Sequence, residues 1–448
     1  MNIKIKIVVL LYFLVTVTGS AQEKWTLDEC VAYALAHNLQ LNDFKYTEQA
    51  GKETYRQSIR SLLPIISGES SYTINFGRST DPFTNDVVTT DFFQNPYSLQ
   101  SSIDIFQGFQ KINSIKASKL LYKATEQETL QQKYLLAFRV MQAFNNVQFF
   151  EGSVSISKEQ LTVSKSNYDL VQKQIELGLM AGADLYEAES LLLVDKLNVT
   201  QSENGLRAAK LLLIQEMNLE NFSDIEIQSV ILKKSETIDQ DGIHSDSVYS
   251  KARNFLPIMK AQELRAKAAK KQIAVARGGL YPSLTAFAAV STGYFETTID
   301  SLGSTLPFSE QFRDNTSQFI GVSLSIPISN GWSTRSSIKQ AKINHMREEN
   351  NIKVQEQVLF QEIQQLVQDY NSLLVELEQS AQAVEAQRLA FTIAQKRYEK
   401  GLINAIELFT AKNLFANAQN GDLQVRLRSE VNKGTLDFYK GLHVFNIN

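Results

Sequence analysis

The residue types that most often do chemistry are few in this chain and badly placed for it. The four histidines, His37, His244, His345 and His443, are scattered, and no two have the spacing of a paired-His metal site. Cys30 is the only cysteine, so it can close no intrachain disulfide and join no thiol cluster. A buried small residue on an early helix is the role that suits it. The sequence holds no glycine-rich phosphate loop and no nucleophile elbow. Lone carboxylates abound on the helical stretches, where they read as solvated faces. The pattern speaks against an enzyme, a bound cofactor or a metal centre. A formal net charge of −3 implies no nucleic acid partner.

The elements around these residues are more informative. Trp332 to Lys400 contains neither Gly nor Pro, the two residues that most often end a helix. Its apolar residues fall at Leu359, Ile363, Leu366, Tyr370, Leu373 and Leu377, and the rhythm returns at Val384, Phe391, Ala394 and Tyr398. That is the seam of a coiled coil, with Gln, Glu, Lys and Asn on the other faces. One uninterrupted helix here would be roughly 100 Å long. Such a helix must pack along partners, and an internal repeat supplies one. A single offset of 223 residues relates Gly108 to Gly331, Ser114-Ile115-Lys116 to Ser337-Ile338-Lys339, and Glu176-Leu177-Gly178-Leu179 to Glu399-Lys400-Gly401-Leu402. It also relates Asp184-Leu185-Tyr186 to Glu407-Leu408-Phe409. Register kept over so long a span indicates duplication, with two long helices of equal length. Shorter helices follow each glycine, Asp184 to Met217 and Ala405 to Tyr439.

Met1 to Ala21 has the form of a signal peptide: Lys4 and Lys6, an apolar core from Ile7 to Val17, and the small residues Gly19-Ser20-Ala21. Beyond it no apolar run is long enough for a membrane helix, so any membrane contact must come through strands. Thr26 and Glu29 form a capping box that opens a short helix, and Leu39 to Leu62 follows, stopped before Pro64. Ser247 to Arg253 and Ile258 to Arg277 echo these two, with Asn38 and Asn254 at the breaks. After each proline the period switches to two. Strands are predicted over about 65–77, 92–107, 282–295 and 317–330, with one apolar face and one of small polar groups. A soluble sandwich or an outer-membrane barrel would both read so. Tyr72, Phe76, Tyr97, Tyr294 and Phe319 stand toward the loop ends, where an aromatic girdle belongs, and the loops Gly77 to Asp91 and Glu296 to Ser317 are long and polar. The chain thus divides into a first repeat over 22–220, a linker over 221–246 that wraps the helices as a belt, and a second repeat over 247–448.

Four strands cannot close a membrane barrel, and an open edge in lipid leaves backbone groups unpaired. Three copies would give twelve strands and twelve helical rods, the rods reaching into an aqueous compartment. The competing classes are a structural or adhesive coiled-coil protein of the cell surface and a periplasmic adaptor built of helical hairpins. Strands duplicated in step with the helices favour the channel over both.

The residues resemble the TolC-like outer membrane efflux proteins over essentially the whole mature chain. The likeness rests on Trp25-Thr26-Leu27-Asp28-Glu29-Cys30 with Ala34 and Asn38, on the strand pairs, and on Arg397-Tyr398-Glu399-Lys400-Gly401-Leu402 followed by Glu407-Leu408. It implies a mainly α fold with a β-barrel part: long antiparallel helices forming an α-barrel, and four strands per chain in a twelve-stranded barrel in outer-membrane lipid. It implies a homotrimeric exit duct for efflux or type I secretion, working with a periplasmic adaptor and an inner-membrane pump. Gly178, Leu179, Gly401 and Leu402 then mark the periplasmic tips where an adaptor docks. Tyr398 matches the tyrosine with which family members close that end, and Glu407 an acidic position lining the constriction. The chain departs from the family where Ile403 replaces a basic residue and Thr410 an acidic one, which leaves a weakly ionic gate of Tyr398, Ile403 and Glu407.

Overall fold

The computed structural model describes residues 24–80, 85–89, 91–220, 224–228 and 244–447. The predicted signal peptide and most of the predicted linker lie outside these residues. In order, the elements are α1 (Leu27–His37), α2 (Leu39–Arg60), β1 (Ile65–Ser70), β2 (Thr73–Asn75), β3 (Ser79–Thr80), β4 (Val87–Val88) and β5 (Phe92–Gln107). Then come α3 (Gln110–Glu176), α4 (Gly182–Met217), α5 (Ser245–Phe255), α6 (Pro257–Gly278) and β6 (Ser283–Phe295). The chain ends with α7 (Phe308–Asp314), β7 (Ser317–Ser325), α8 (Ser333–Glu399) and α9 (Ala405–Tyr439). Both α3 and α8 have 67 residues, so each is about 100 Å long.

The chain forms two compact units. One takes the described residues of Met1–Lys45, Glu128–Met259 and Gln355–Asn448, the other Tyr46–Gln127 and Lys260–Val354. The first is helical, and its core gathers Cys30, Val31 and Ala34 of α1, Leu136, Val140 and Phe144 of α3, and Leu213 and Met217 of α4. Thr26 caps α1: its Oγ1 accepts from the Glu29 N–H at 3.3 Å, and Glu29 accepts from the Thr26 N–H at 2.8 Å. Asn38 breaks α1 from α2 and is buried with both ends of its amide satisfied. Nδ2 donates to Glu216 O at 2.9 Å, and Oδ1 accepts from the Leu41 N–H at 3.0 Å. Asn218 ends α4 in the left-handed region, φ +52°, and accepts from the Leu39 N–H. The described part of the linker pairs with the N-terminal segment, through hydrogen bonds from Trp25 N–H to Glu226 O and from Gln228 N–H to Trp25 O. Phe438 of α9 collects Tyr134 and Phe138 of α3 and Phe255 of α5 at ring separations of 4.8–5.2 Å, tying the two repeats together.

The α8 seam differs from its predicted form. Leu359, Ile363, Val367 and Leu373 are buried, while Leu366 and Tyr370 are only half-buried. A straight helix turns 3.6 residues per turn, so a stripe spaced for 3.5 drifts and brings Val367 inward.

The second unit holds an antiparallel sheet in the order β1-β5-β6-β7, with β2 continuing beside β5 where β1 stops, and β3 and β4 pair with each other as a separate two-stranded ribbon. Four strand positions are therefore filled. β7 ends at Ser325, short of Pro327, which has no N–H to give to a ladder. Register separates the faces. Ile66 opposes Ser101, Leu99 opposes Val290, Ile103 opposes Ala286, and Val322 joins Ala286 on that side. The other side pairs Ser67 with Gln100, Ser98 with Ser291, Asp104 with Thr285, and Thr285 with Ser323. On that side Thr285 donates to Asp104 at 3.0 Å, and Lys111 neutralises that carboxylate at 2.9 Å. β1 and β7 are the edges of the sheet. Ile320, Val322 and Leu324 of β7 are exposed. The loop between β6 and β7, read as polar from the sequence, instead folds α7 and its two phenylalanines onto the sheet.

Candidate functional site at the helix turns

Each long helix ends in the same turn. Gly178 and Gly401 have φ of +72° and +69°, a region that costs any other residue a steric clash. The Gly178 N–H donates to Ile175 O and the Leu179 N–H reaches back to Gln174 O; Gly401 and Leu402 repeat the pattern on Tyr398 O and Arg397 O. The returning chain then meets the next helix, and here the repeats differ. Asn404 caps α9, accepting from the Glu407 N–H at 2.8 Å. Ala181 precedes α4 and has no side chain to cap with; Asp184 instead accepts from the Ala181 N–H at 3.2 Å. Leu179 and Leu402 are exposed, 71% and 63%, so each turn presents an apolar side chain to solvent.

Tyr398, Ile403 and Glu407 lie around the second turn. Tyr398 is half-buried in the last turn of α8, Ile403 is half-buried in the loop, and Glu407 is exposed in the first turn of α9. Burial pushes the Tyr398 phenol above its ordinary pKa, and the nearby carboxylates of Glu187 and Asp184 push it further. Tyr398 of the second repeat thus faces the acidic start of α4 in the first. Glu407 does not share this packing; it points to solvent.

The sequence reading missed the group just behind them. Lys412 of α9 and Asp195 of α4 form an ion pair with both residues 1% exposed. Lys412 Nζ donates to Ser164 Oγ of α3 at 2.6 Å, and Ser164 donates on to the same Asp195 carboxylate. The ammonium also sits 4.8 Å from the centre of the Phe409 ring. Burial lowers the Lys412 pKa and the Asp195 charge opposes the fall. A cavity of ≈ 20 Å³, room for about one water, separates this pair from Tyr398 and is lined by Ser164, Asn167, Leu408 and Lys412. Asp195 therefore corrects the reading of lone carboxylates as solvated. The signal was available: Asp195 stands in the buried stripe Ala188, Leu192, Val199, and Lys412 in the stripe Leu408, Phe415. A charge on such a stripe must find a partner or shift its pKa. The pair has no repeat mate, since the positions 223 residues away are Ala418 and Glu189.

The remaining chemistry-bearing residues stay apart. Cys30 is fully buried, and its thiol is pushed up to about 12 by burial and by the Glu29 charge. Among the described residues no group of His, Cys, Asp and Glu could hold a metal ion, and no helix is long and apolar enough to cross a membrane.

The family model for outer membrane efflux proteins matches residues 31–218 and again 248–441, so it covers both repeats. The outer membrane protein TolC of Vibrio cholerae is 22% identical over 394 residues, 86% of this chain and 83% of that one. Among solved structures, CusC superposes with a TM-score of 0.77 at 19% identity, covering 93% of this chain and 92% of that one. The CmeC outer membrane channel of Campylobacter jejuni gives a TM-score of 0.78 at 16% identity, with 93% and 85% covered. CusC forms a transmembrane channel and CmeC is an outer membrane channel, and this chain shares their fold over nearly its whole length. The chain belongs to the outer membrane efflux protein family and is an exit duct of the outer membrane.

Proposed function

We propose that three copies of the chain close one twelve-stranded barrel, and that their helix turns meet a periplasmic adaptor and, through it, an inner-membrane pump. The observation that carries the trimer is the sheet itself. Four strand positions end in two open edges, β1 and β7, which run in opposite senses and so can pair antiparallel from copy to copy. Each edge left in lipid would strand several backbone groups without partners. Native mass spectrometry of the detergent-extracted protein should give a trimer; a monomer alone would remove the barrel.

Gly178-Leu179 and Gly401-Leu402 form the docking tips in this reading, because both turns share the same left-handed glycine and their leucines are exposed. Tyr398, Ile403 and Glu407 shape the closable end. Tyr398 holds α8 against α4, Ile403 adds an apolar contact, and three Glu407 carboxylates drawn together near an axis would repel one another and favour a cation. Tyr398→Phe should raise single-channel conductance in a planar bilayer. Glu407→Gln should reduce the preference for cations. Conductance and selectivity both unchanged would place the constriction at other residues.

A further inference from the structure

The loop between β6 and β7 contains a feature that an exit duct does not require. α7, Phe308–Asp314, is bound to the sheet by a dense set of hydrogen bonds. Gln311, 1% exposed, donates to Phe295 O at 3.0 Å and to Leu306 O at 2.9 Å, and accepts from the Phe295 N–H at 2.9 Å. Thr292 Oγ1 donates to Phe312 O at 2.6 Å, and Asn315 donates to Gly293 O at 2.8 Å. The helix is thus held in one place rather than swinging with its loop.

Register shows which face it is held on. Thr292 opposes Tyr97 and Tyr294 opposes Asn95, so Thr292, Tyr97 and Tyr294 share the side that carries Leu99, Val290, Ile320 and Val322. That is the apolar side. In an outer-membrane barrel it is the lipid side, because the other, although it includes Phe287 and Phe319, is mostly Ser, Gln, Asp and Thr and suits the wet lumen. Phe308 and Phe312, one helical turn apart, both pack edge-on against Tyr97 at ring separations of 6.2 and 5.5 Å, and Phe308 also lies tilted against Tyr294 at 5.8 Å. They nevertheless remain 46% and 41% exposed. Arg313 and Asp314 pair with each other on the exposed side of the same helix. An apolar edge continuous with a lipid-facing wall, an aromatic cluster and a charged outer edge make up the pattern of a helix lying at a membrane surface. The aromatic rings stand where a girdle marks the boundary between acyl chains and headgroups.

We propose that α7 is an interfacial anchor on the outer wall of the barrel, and that the acyl-chain edge of the lipid surface covers the exposed sides of Phe308 and Phe312. The proposal rests on the apolar sheet face being the membrane side, and the test separates the two. Phe312→Trp is made in a protein whose own tryptophans are replaced, W25F and W332F, and Val322→Trp on the bare wall serves as the companion. Each full-length protein is reconstituted in phosphatidylcholine vesicles with or without acyl-chain bromine, and is also exposed to aqueous acrylamide. Loss of emission from both tryptophans in the brominated vesicles, with little loss to acrylamide, is the expected result. Quenching of Val322→Trp by bromine, but of Phe312→Trp by acrylamide alone, would overturn the anchor and leave the wall intact. Phe312→Trp dark to neither quencher would mean that a second copy covers it, which also overturns the anchor. Failure of bromine to reach Val322→Trp would overturn the membrane side itself.

Discussion

Between Leu136 and Val147, α3 buries Leu136, Val140, Met141, Phe144 and Val147. Over the matching residues of the second repeat, Leu359 to Tyr370, α8 buries Leu359, Ile363 and Val367. The seam positions are shared: 136 with 359, 140 with 363, 144 with 367. The flanks are not. Met141, in the core, corresponds to the exposed Gln364, and buried Val147 to half-buried Tyr370. Further along, α8 leaves Val375, Leu389 and Ile393 exposed at 55%, 48% and 59%. Duplication fixed the helix length, the turn and the seam. Over these residues one long helix is a core element and the other is held along a single stripe. The second hairpin is then secured at particular points, by Phe438 at one place and by Lys412 near the turns.

The strongest way to break this contrast is Lys412→Met. It leaves the buried Asp195 charge without a counter-ion and should cost about 3–5 kcal/mol. Adding Asp195→Leu should restore most of the loss, because well-packed apolar replacements of a buried pair are often neutral or better. Urea unfolding of both variants reads the result. A single variant as stable as the parent would mean that the second hairpin does not depend on this pair.

Next comes the turn. A Cβ at Gly178 or Gly401 meets nothing within 4 Å, so the cost of a side chain there is backbone strain alone. Gly401→Val and Gly178→Val should each lose about 2 kcal/mol, since the left-handed region is worst for β-branched residues. Equal losses support twin turns. Normal export with both changed would count against docking at these tips.

Cys30 probes the core side of the comparison. Its folded pKa of about 12 lies above the ordinary thiol value of 9.0. The unfolded chain therefore ionises first as pH rises. Stability from this group is full below pH 9 and is lost toward pH 12, at up to about 1.4 kcal/mol per pH unit. Cys30→Ala should remove that part of the alkaline slope, as read by thermal melts across this range. An unchanged slope would mean that the thiol opens to solvent in the folded state.

The smallest expected effects are at the caps. Asn404→Ala should cost about 1 kcal/mol, and Ala181→Asn should gain up to about that much, making the two turns alike. Thermal melts of the two single variants and the double would show whether the caps act independently.

Much of this fold was legible in the sequence because its signals are long. A gap of 223 residues between like glycines, the stretch from Trp332 to Lys400 free of Gly and Pro, and a change of period after Pro64 and Pro282 each extend over many positions. The site was less legible because its decisive features are single residues seen in three dimensions. Tyr398 was found through resemblance, but its acidic neighbours Asp184 and Glu187 come from the other repeat. Asp195 and Lys412 are 217 residues apart in sequence, and each looks like an ordinary helix charge until its stripe is followed. α7 was hidden for a different reason. A seven-residue helix is too short for periodicity to declare, and Phe308 and Phe312 only acquire meaning from the register that puts Tyr97 beside them.

The pairing of sheet edges between copies can be tested directly by disulfide trapping. With Cys30 replaced by Ala, Ser67→Cys on β1 is combined in turn with a cysteine at Ser317, Ser323 or Ser325 of β7. All four serines lie on the polar face of the sheet. Within one chain β5 and β6 separate these strands, a gap of about 14 Å. A disulfide spans less than about 7 Å between Cα atoms, so no intrachain bond can form. Oxidised membranes should give covalent dimers and trimers on non-reducing gels for the partner in register, and neither single-cysteine protein should give any. Monomer at every β7 position would contradict closure of the barrel by neighbouring copies.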